Sequence, residues 1–397
     1  MVRSEFNILF VGTLPPHHGG SAIANAELLR TFPRYGCRVR AIAPMSAQSA
    51  NGVDAFAEAH AELAVTRFPV PFYYADPYVA AADVYVQAER AGIERELTAA
   101  VAQSRPDIVI CGRETCAPWV LPIVQRCQLA CVIRIAGGHI SGISDGAQAP
   151  TARRELAQVM NGMAGVVTEA RHMQNELARW GVLRTRVIAN PIDLASFAPS
   201  ARNWRLRGEL GIEERAVVVF HASNMKSCKR PVDIVRSAEQ VTRVAPNVVY
   251  VIAGDGPLLE EMERACCELG VRESFRFAGW VAYESMPEYF AAADIVVMPS
   301  STEQQARVYL EAQACGRTLL ASDIPGAREV IEDGKTGVLF RMGDVEDLTS
   351  KTLRAIDCPE LRREIERRAR EYVARHELGR IAEEWMAYLR ETSKNFN

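Results

Sequence analysis

Short, almost unbroken apolar runs recur along this chain, each followed by a stretch of helical periodicity. The first, Asn7-Ile8-Leu9-Phe10-Val11, is apolar on both faces of an extended strand, the mark of a strand buried within a parallel sheet. Similar runs predict strands at 38–43, 107–111, 131–135, 165–168 and 186–189. Between them the spacing predicts helices at 22–32, 79–90, 92–102, 117–126, 151–160 and 170–180. Parallel strands need a crossover, and a helix supplies it, so this alternation predicts an α/β fold with a doubly wound sheet.

Asn190-Pro191-Ile192-Asp193 breaks the rhythm and reads as a linker. A second run follows, with strands predicted at 217–222, 248–254, 275–277, 295–298, 318–322 and 337–340. Its helices fall at 231–241, 258–269, 284–292, 304–315, 345–355 and 359–375. The expected organisation is two doubly wound, Rossmann-like domains, 1–190 and 191–377. A last amphipathic segment, about 378–397 with Trp385 and Tyr388, can pack back on the first domain. Two such sheets facing each other across a cleft would leave a groove, a favoured place for ligands. The aromatic run 72–78 reads as cover for the first core or as a wall for a substrate.

Composition narrows the function classes. With 397 residues there is room for two cores, and 46 basic against 49 acidic side chains leave a net charge of −3. That balance argues against nucleic acid or an anionic membrane as the main partner. No apolar run reaches the roughly 18 residues of a membrane span, and the N-terminus leads straight into a strand without a signal-peptide pattern. The expectation is a cytoplasmic protein. Ten cysteines are scattered, and the pairs Cys111/Cys116 and Cys127/Cys131 have neither metal-site spacing nor a nearby histidine. They read as buried reduced thiols, and no metal site is expected.

Candidate ligand groups gather after the strands of the second half. The segment from His221 to Pro231 carries Lys226, Lys229 and Arg230 just before a helix that Pro231 is suited to open. Cations there oppose the helix dipole unless an anion joins them, so a phosphate held by Lys229 or Arg230 competes with a solvated pair. Gly254-Asp255-Gly256-Pro257 reads as a structural turn, and Gly279-Trp280-Val281 follows another short strand. Pro299 closes the strand 295–298; Ser301 or Thr302 can cap the next helix; Gly316 can end it. This stretch holds two carboxylates, Glu303 and Glu311. Within one helix they would point about 80° apart, whereas with Glu303 ahead of the first turn both can face one cleft. The first domain contributes Gly19-Gly20 before a helix, either a plain turn or a close approach to an anion at the helix N-terminus.

Taken together, these segments resemble the retaining nucleotide-sugar glycosyltransferases of the GT-B fold, family 4, over nearly the whole chain. The resemblance rests on Pro15 to Ser21, Asn190-Pro191-Ile192-Asp193 with Phe197, Ser223 to Arg230, and Ala253-Gly254-Asp255-Gly256-Pro257. It continues through Phe277-Ala278-Gly279, Glu303 with Glu311 eight residues on, Ala312 to Gly316, and Pro325 to Val330.

It implies that Glu303 meets hydroxyls of the donor sugar and that Glu311 holds the ribose of the nucleotide. Gly279, Trp280 and Val281 would flank the nucleoside. Lys229 would neutralise the diphosphate, and Asn224 and Arg230 would contact diphosphate and sugar; the backbone at Gln305, Ala306, Arg307 and Val308 and at Gly19 and Gly20 would support them. His139 would stand near the transferred sugar. The implied activity uses a nucleotide-sugar donor, UDP-linked by this reading, and a hydroxyl acceptor. It needs no cofactor or metal. The acceptor would be a small polar molecule or a growing glycan, in a bacterial enzyme, with a homodimer allowed.

Three departures from the family stand out. Gln305-Ala306 replaces Phe-Gly, Asn224 replaces an arginine (as in relatives that join N-acetylglucosamine to malate), and His139 is displaced along its loop. They motivate an alternative, a nucleotide-sugar-binding partner subunit without catalysis. A glycosidase using Glu303 and Glu311 as its acid–base pair is a third reading, opposed by the phosphate-type turns.

Overall fold

Strands that are apolar on both faces need helices over both, and the chain arranges them in two all-parallel sheets. The computed structural model describes residues 5–17, 19–46, 54–71, 82–135, 140 and 149–396. By its contacts the chain divides into two units, Met1–Pro191 with Leu378–Asn397, and Ile192–Glu377.

In the first unit seven strands form one sheet: β1 (Phe6–Val11), β2 (Cys37–Ser46), β3 (Val65–Val70), β4 (Ile108–Cys111), β5 (Cys131–Ile135), β6 (Gly165–Thr168) and β7 (Thr185–Val187). Their order is β3-β2-β1-β4-β5-β6-β7, with every pair parallel. Two cores lie on the two faces. One gathers Leu9, Val11, Val109, Ile133 and Val166; the other gathers Ile8, Phe10, Ile108, Val132 and Val167. Adjacent residues of each strand thus supply opposite cores, as the period of two requires. The terminal helix Leu378–Phe396 lays Ile381, Trp385, Met386 and Leu389 into the second of these cores, and Ser393 Oγ donates to the carbonyl of Asp107 at 2.9 Å.

Two expectations change here. The strand β3 was not expected, because Thr-Arg-Phe-Pro carries too little apolar signal to stand out. The helices expected at 79–90 and 92–102 are one helix over the described Ala82–Gln103, and Gly92 does not interrupt it. A Cβ built on Gly92 would lie 2.1 Å from Cδ2 of Phe68 on β3. Gly92 is there to let the ring in. The aromatic run 72–78 lies outside the described residues.

The second unit holds β8 (Val217–Ala222), β9 (Val248–Ala253), β10 (Phe275–Gly279), β11 (Ile295–Met298), β12 (Thr318–Ser322) and β13 (Val338–Phe340). They are again all parallel, in the order β10-β9-β8-β11-β12-β13. From β8 the chain builds outward to β9 and β10, then returns to place β11 against the other side of β8, Val219 opposite Ile295. The turns after β8 and β11 therefore leave their shared edge in opposite directions. That is a topological switch point, where open α/β sheets bind ligands. A short helix, Trp204–Glu209, was not foreseen; Asn203 caps it by accepting from Leu206 N at 3.0 Å. Among the described residues no helix is long and apolar enough to cross a membrane.

Candidate active site

The turn after β8 is shaped from beneath by a buried histidine. His221 is the penultimate residue of the strand, its Nδ1 lying 2.8 Å from the carbonyl oxygen of Val297 on β11. A carbonyl only accepts, so Nδ1 carries the proton, and Nε2 accepts from Ser223 Oγ at 2.8 Å. Ser223 Oγ in turn accepts from Met225 N at 3.2 Å, where the backbone takes a left-handed φ of 41°. Burial pushes the His221 pKa down to about 4, despite the Val297 carbonyl, which favours the charged form, and with help from the charge of Lys229. A neutral imidazole is what this relay requires.

The neighbouring turn clamps the same loop. Gly254 and Gly256 have φ of 118° and 149°, and a Cβ on either would lie within 2 Å of a backbone oxygen, Ser223 O and Asn224 O respectively. Leu258 N donates to the carbonyl of Met225 at 2.9 Å. The segment expected to be a plain turn is thus the support of the cationic loop.

From that loop Lys229 reaches Glu303, on the turn after β11, and its Nζ donates to Glu303 Oε1. The two side chains are 18% and 11% exposed, so little solvent screens the pair. Burial alone would lower the Lys229 pKa; the adjacent Glu303 carboxylate outweighs it, and the ammonium is held charged. Ser300 Oγ donates to the same carboxylate oxygen at 2.8 Å, and Ser301 N ties the two turns together by donating to the carbonyl of Cys228 at 2.8 Å. Arg230 goes elsewhere: its Nε is 2.6 Å from Asp233 Oδ2 in the first turn of helix Pro231–Val244. Asp233 supplies the negative charge that the helix dipole favours.

The helix expected from 304 begins later, as Arg307–Ala314, with Ala306 extended at its cap and neither Ser301 nor Thr302 capping it. Residues 303–306 stay outside the helix, and Gly326 packs closely against their backbone: a Cβ there would lie 2.1 Å from Glu303 O and 2.5 Å from Gln304 O. Glu303 thus precedes the first turn while Glu311 sits one turn inside. Gln304 and Gln305 are both buried. Glu311 is buried as well, with Arg307 Nε 3.5 Å from its Oε1. At the end of β10, Gly279 has φ 64° and its carbonyl accepts from Gly254 N at 2.7 Å; beyond it Trp280 is exposed and Val281 half-buried.

In the first unit, Gly19 (φ 122°) caps the exposed start of helix Gly20–Thr31. His139 lies outside the described residues. A network that sequence reasoning missed sits at the same sheet edge. Arg134, next to last in β5, donates from Nη1 to Asn25 Oδ1 at 2.9 Å and from Nη2 to Asn190 Oδ1 at 2.7 Å, and pairs with Glu169, which accepts from Asn190 Nδ2 at 2.7 Å. All four are buried. A charged residue amid the apolar 131–135 run was the available signal. The ten cysteines are free; Cys116 and Cys131 have their thiols pushed up to about 12 by burial.

This architecture, two parallel-sheet Rossmann-like domains, is that of the GT-B glycosyltransferases. Anabaena HepE in complex with UDP and glucose superposes with a TM-score of 0.79 over 97% of this chain and all of that one, at 19% identity. Residues 202–372 match the family described as Glycosyl transferases group 1. A GDP-mannose-dependent alpha-(1-6)-phosphatidylinositol monomannoside mannosyltransferase of Mycolicibacterium smegmatis is 31% identical over 246 residues, 59% of this chain and 63% of that protein. An N-acetyl-alpha-D-glucosaminyl L-malate synthase of Bacillus anthracis is 32% identical over 170 residues, 43% and 44% of the two chains. The chain thus spans less than two thirds of the length of these curated relatives.

Proposed function

We propose that this protein transfers a hexose or N-acetylhexosamine from a UDP-linked sugar to a hydroxyl of a small polar acceptor or growing glycan, with retention of anomeric configuration and without a metal. The observation that carries the reading is the meeting of Lys229 and Glu303 at the switch point of the second sheet. An ammonium held charged there suits a diphosphate leaving group, and a carboxylate beside it suits sugar hydroxyls. The match to glycosyl transferases group 1 supports glycosyl transfer, and the GDP-mannose dependence in the mannosyltransferase's name supports a nucleotide-sugar donor.

In this reading the acceptor oxygen attacks the anomeric carbon as the bond to the phosphate oxygen breaks, and the acceptor's proton passes to the departing phosphate. Lys229 stabilises the charge that builds on the diphosphate. Glu303 orients the sugar, and Glu311, one turn into its helix, receives the ribose hydroxyls. Asn224 and the amides at 305–308 complete the diphosphate and sugar contacts, Gly279, Trp280 and Val281 border the nucleoside, and Gly19, Gly20 and His139 are assigned from the first domain.

Purified protein incubated with UDP- and GDP-sugars, chelator and a panel of polyol, hydroxy-acid and aminoglycoside acceptors should give a glycosylated product by mass spectrometry, with the donor's anomeric configuration by NMR. Absence of both transfer and measurable UDP or GDP binding would overturn the reading. Tight donor binding without transfer or hydrolysis across the panel would leave a binding subunit.

A further inference from the structure

Beside Glu303 lies a second charged cluster whose arrangement makes little sense for helix stability alone. Arg307 opens helix Arg307–Ala314 and Glu311 follows four residues on, so the two share a face. A cation in the first turn opposes the helix dipole, and Arg before Glu is the weaker order for such a pair. Yet both side chains are buried, 6% and 7% exposed.

What holds Arg307 there comes from another turn of the same sheet edge. Tyr283, after β10, accepts a hydrogen bond from Arg307 Nη2 through its hydroxyl, and its ring lies 5.3 Å from the guanidinium carbon. The ring is itself fixed against Phe197, centroids 5.3 Å apart. The contact from Arg307 Nε to Glu311 Oε1, at 3.5 Å, is a charge pair longer than a hydrogen bond. It sets the guanidinium beside the carboxylate.

We propose that Arg307, anchored by Tyr283, is a positioning residue that aims the Glu311 carboxylate at the two neighbouring hydroxyls of a ribose, and so sets how strongly the protein prefers ribonucleotides to 2′-deoxyribonucleotides. The inference rests on the reading that Glu311 receives the ribose. A carboxylate takes two adjacent hydroxyls well only when its plane is set. A nucleotide lacking one hydroxyl leaves a buried carboxylate oxygen without its partner, which sites of this kind penalise strongly.

The test is the ratio of UDP to 2′-deoxy-UDP affinity, measured by calorimetry on the full chain. The wild type should prefer UDP by at least about tenfold. Glu311→Gln should lose most of that preference, and Arg307→Met should lose it comparably while keeping weaker binding of both ligands. Tyr283→Phe, which removes only the hydroxyl, should reduce the ratio by about half or more and carries the test if Arg307→Met does not fold. Arg307→Lys, which keeps the charge but not the planar fork, should fall between wild type and Arg307→Met. If Glu311→Gln abolishes the preference but Arg307→Met and Tyr283→Phe keep the wild-type ratio, the inference fails and the ribose reading stands. An unchanged ratio in Glu311→Gln overturns both. Should the protein bind GDP rather than UDP, the GDP and 2′-deoxy-GDP pair reads the same ratio.

Discussion

Gly326 lies so close to Glu303 that a single added carbon would stand 2.1 Å from its carbonyl oxygen. The contact is backbone against backbone, which no rotamer can relieve. It lies behind the turn from which Glu303 meets Lys229. Gly326→Ala should push this turn away, costing about 1–3 kcal/mol in stability, typical of overpacking. If the site is as proposed, donor turnover should fall more than tenfold. Thermal melts and single-turnover transfer check both; a variant with native stability and native activity would remove Gly326 from this role.

The Lys229–Glu303 pair is largely shielded, so removing one partner strands the other. Lys229→Met should destabilise the protein by about 3 kcal/mol, toward the low end for a broken buried pair because some solvent reaches it. Glu303→Gln keeps the shape and should cost less in denaturant unfolding. Both should reduce transfer by two orders of magnitude or more, about 3 kcal/mol of transition-state stabilisation, if they act on the diphosphate and the sugar. Transfer within threefold of wild type in either would contradict the assignment.

His221 makes stability depend on pH in a defined direction. Its pKa falls from 6.5 in the unfolded chain to about 4 in the fold, so the fold prefers it neutral. Its contribution is fully present above about pH 6.5 and is lost as pH falls toward 4, at up to about 1.4 kcal/mol per unit. The charge of Lys229 acts in the same sense. His221→Asn keeps a donor for Val297 but cannot titrate. Urea unfolding from pH 7.5 to 4.5 should show a shallower loss in the variant; matching slopes would place the acid sensitivity elsewhere.

Gly92→Ala reverses the usual rule for helices. Alanine inside a helix normally stabilises by roughly 0.5–1 kcal/mol over glycine. Here the methyl group would meet the Phe68 ring at 2.1 Å in a filled core, so the variant should be less stable by about 1–3 kcal/mol. Nucleotide affinity in the second unit should hardly change. A rise in melting temperature would show that the ring moves aside freely.

Much of the architecture was legible because the physics is local and periodic. Runs such as 217–222 and 295–298 read as strands buried on both faces, and their alternation with helices points to parallel sheets. The weakly apolar β3, the unbroken helix over Gly92 and the late start of helix Arg307–Ala314 were not legible. Each lies against a neighbour distant in sequence: β2 for β3, Phe68 for Gly92, Gly326 for 303–306.

The same division runs through the site. By itself the sequence determined which residue types gather at the ends of the second set of strands: the cations around Lys229, the carboxylates at 303 and 311, and the glycines between. Only the tertiary structure decided which of them meet across the sheet edge. Lys229 takes Glu303, Arg230 turns to Asp233, and Arg307 is drawn by Tyr283 onto Glu311. Arg230–Asp233 and Arg307–Glu311 are three and four residues apart, spacings that a helix brings together. Lys229–Glu303 and Arg307–Tyr283 instead join segments far apart in sequence, where strand order sets the partner and no local pattern reaches.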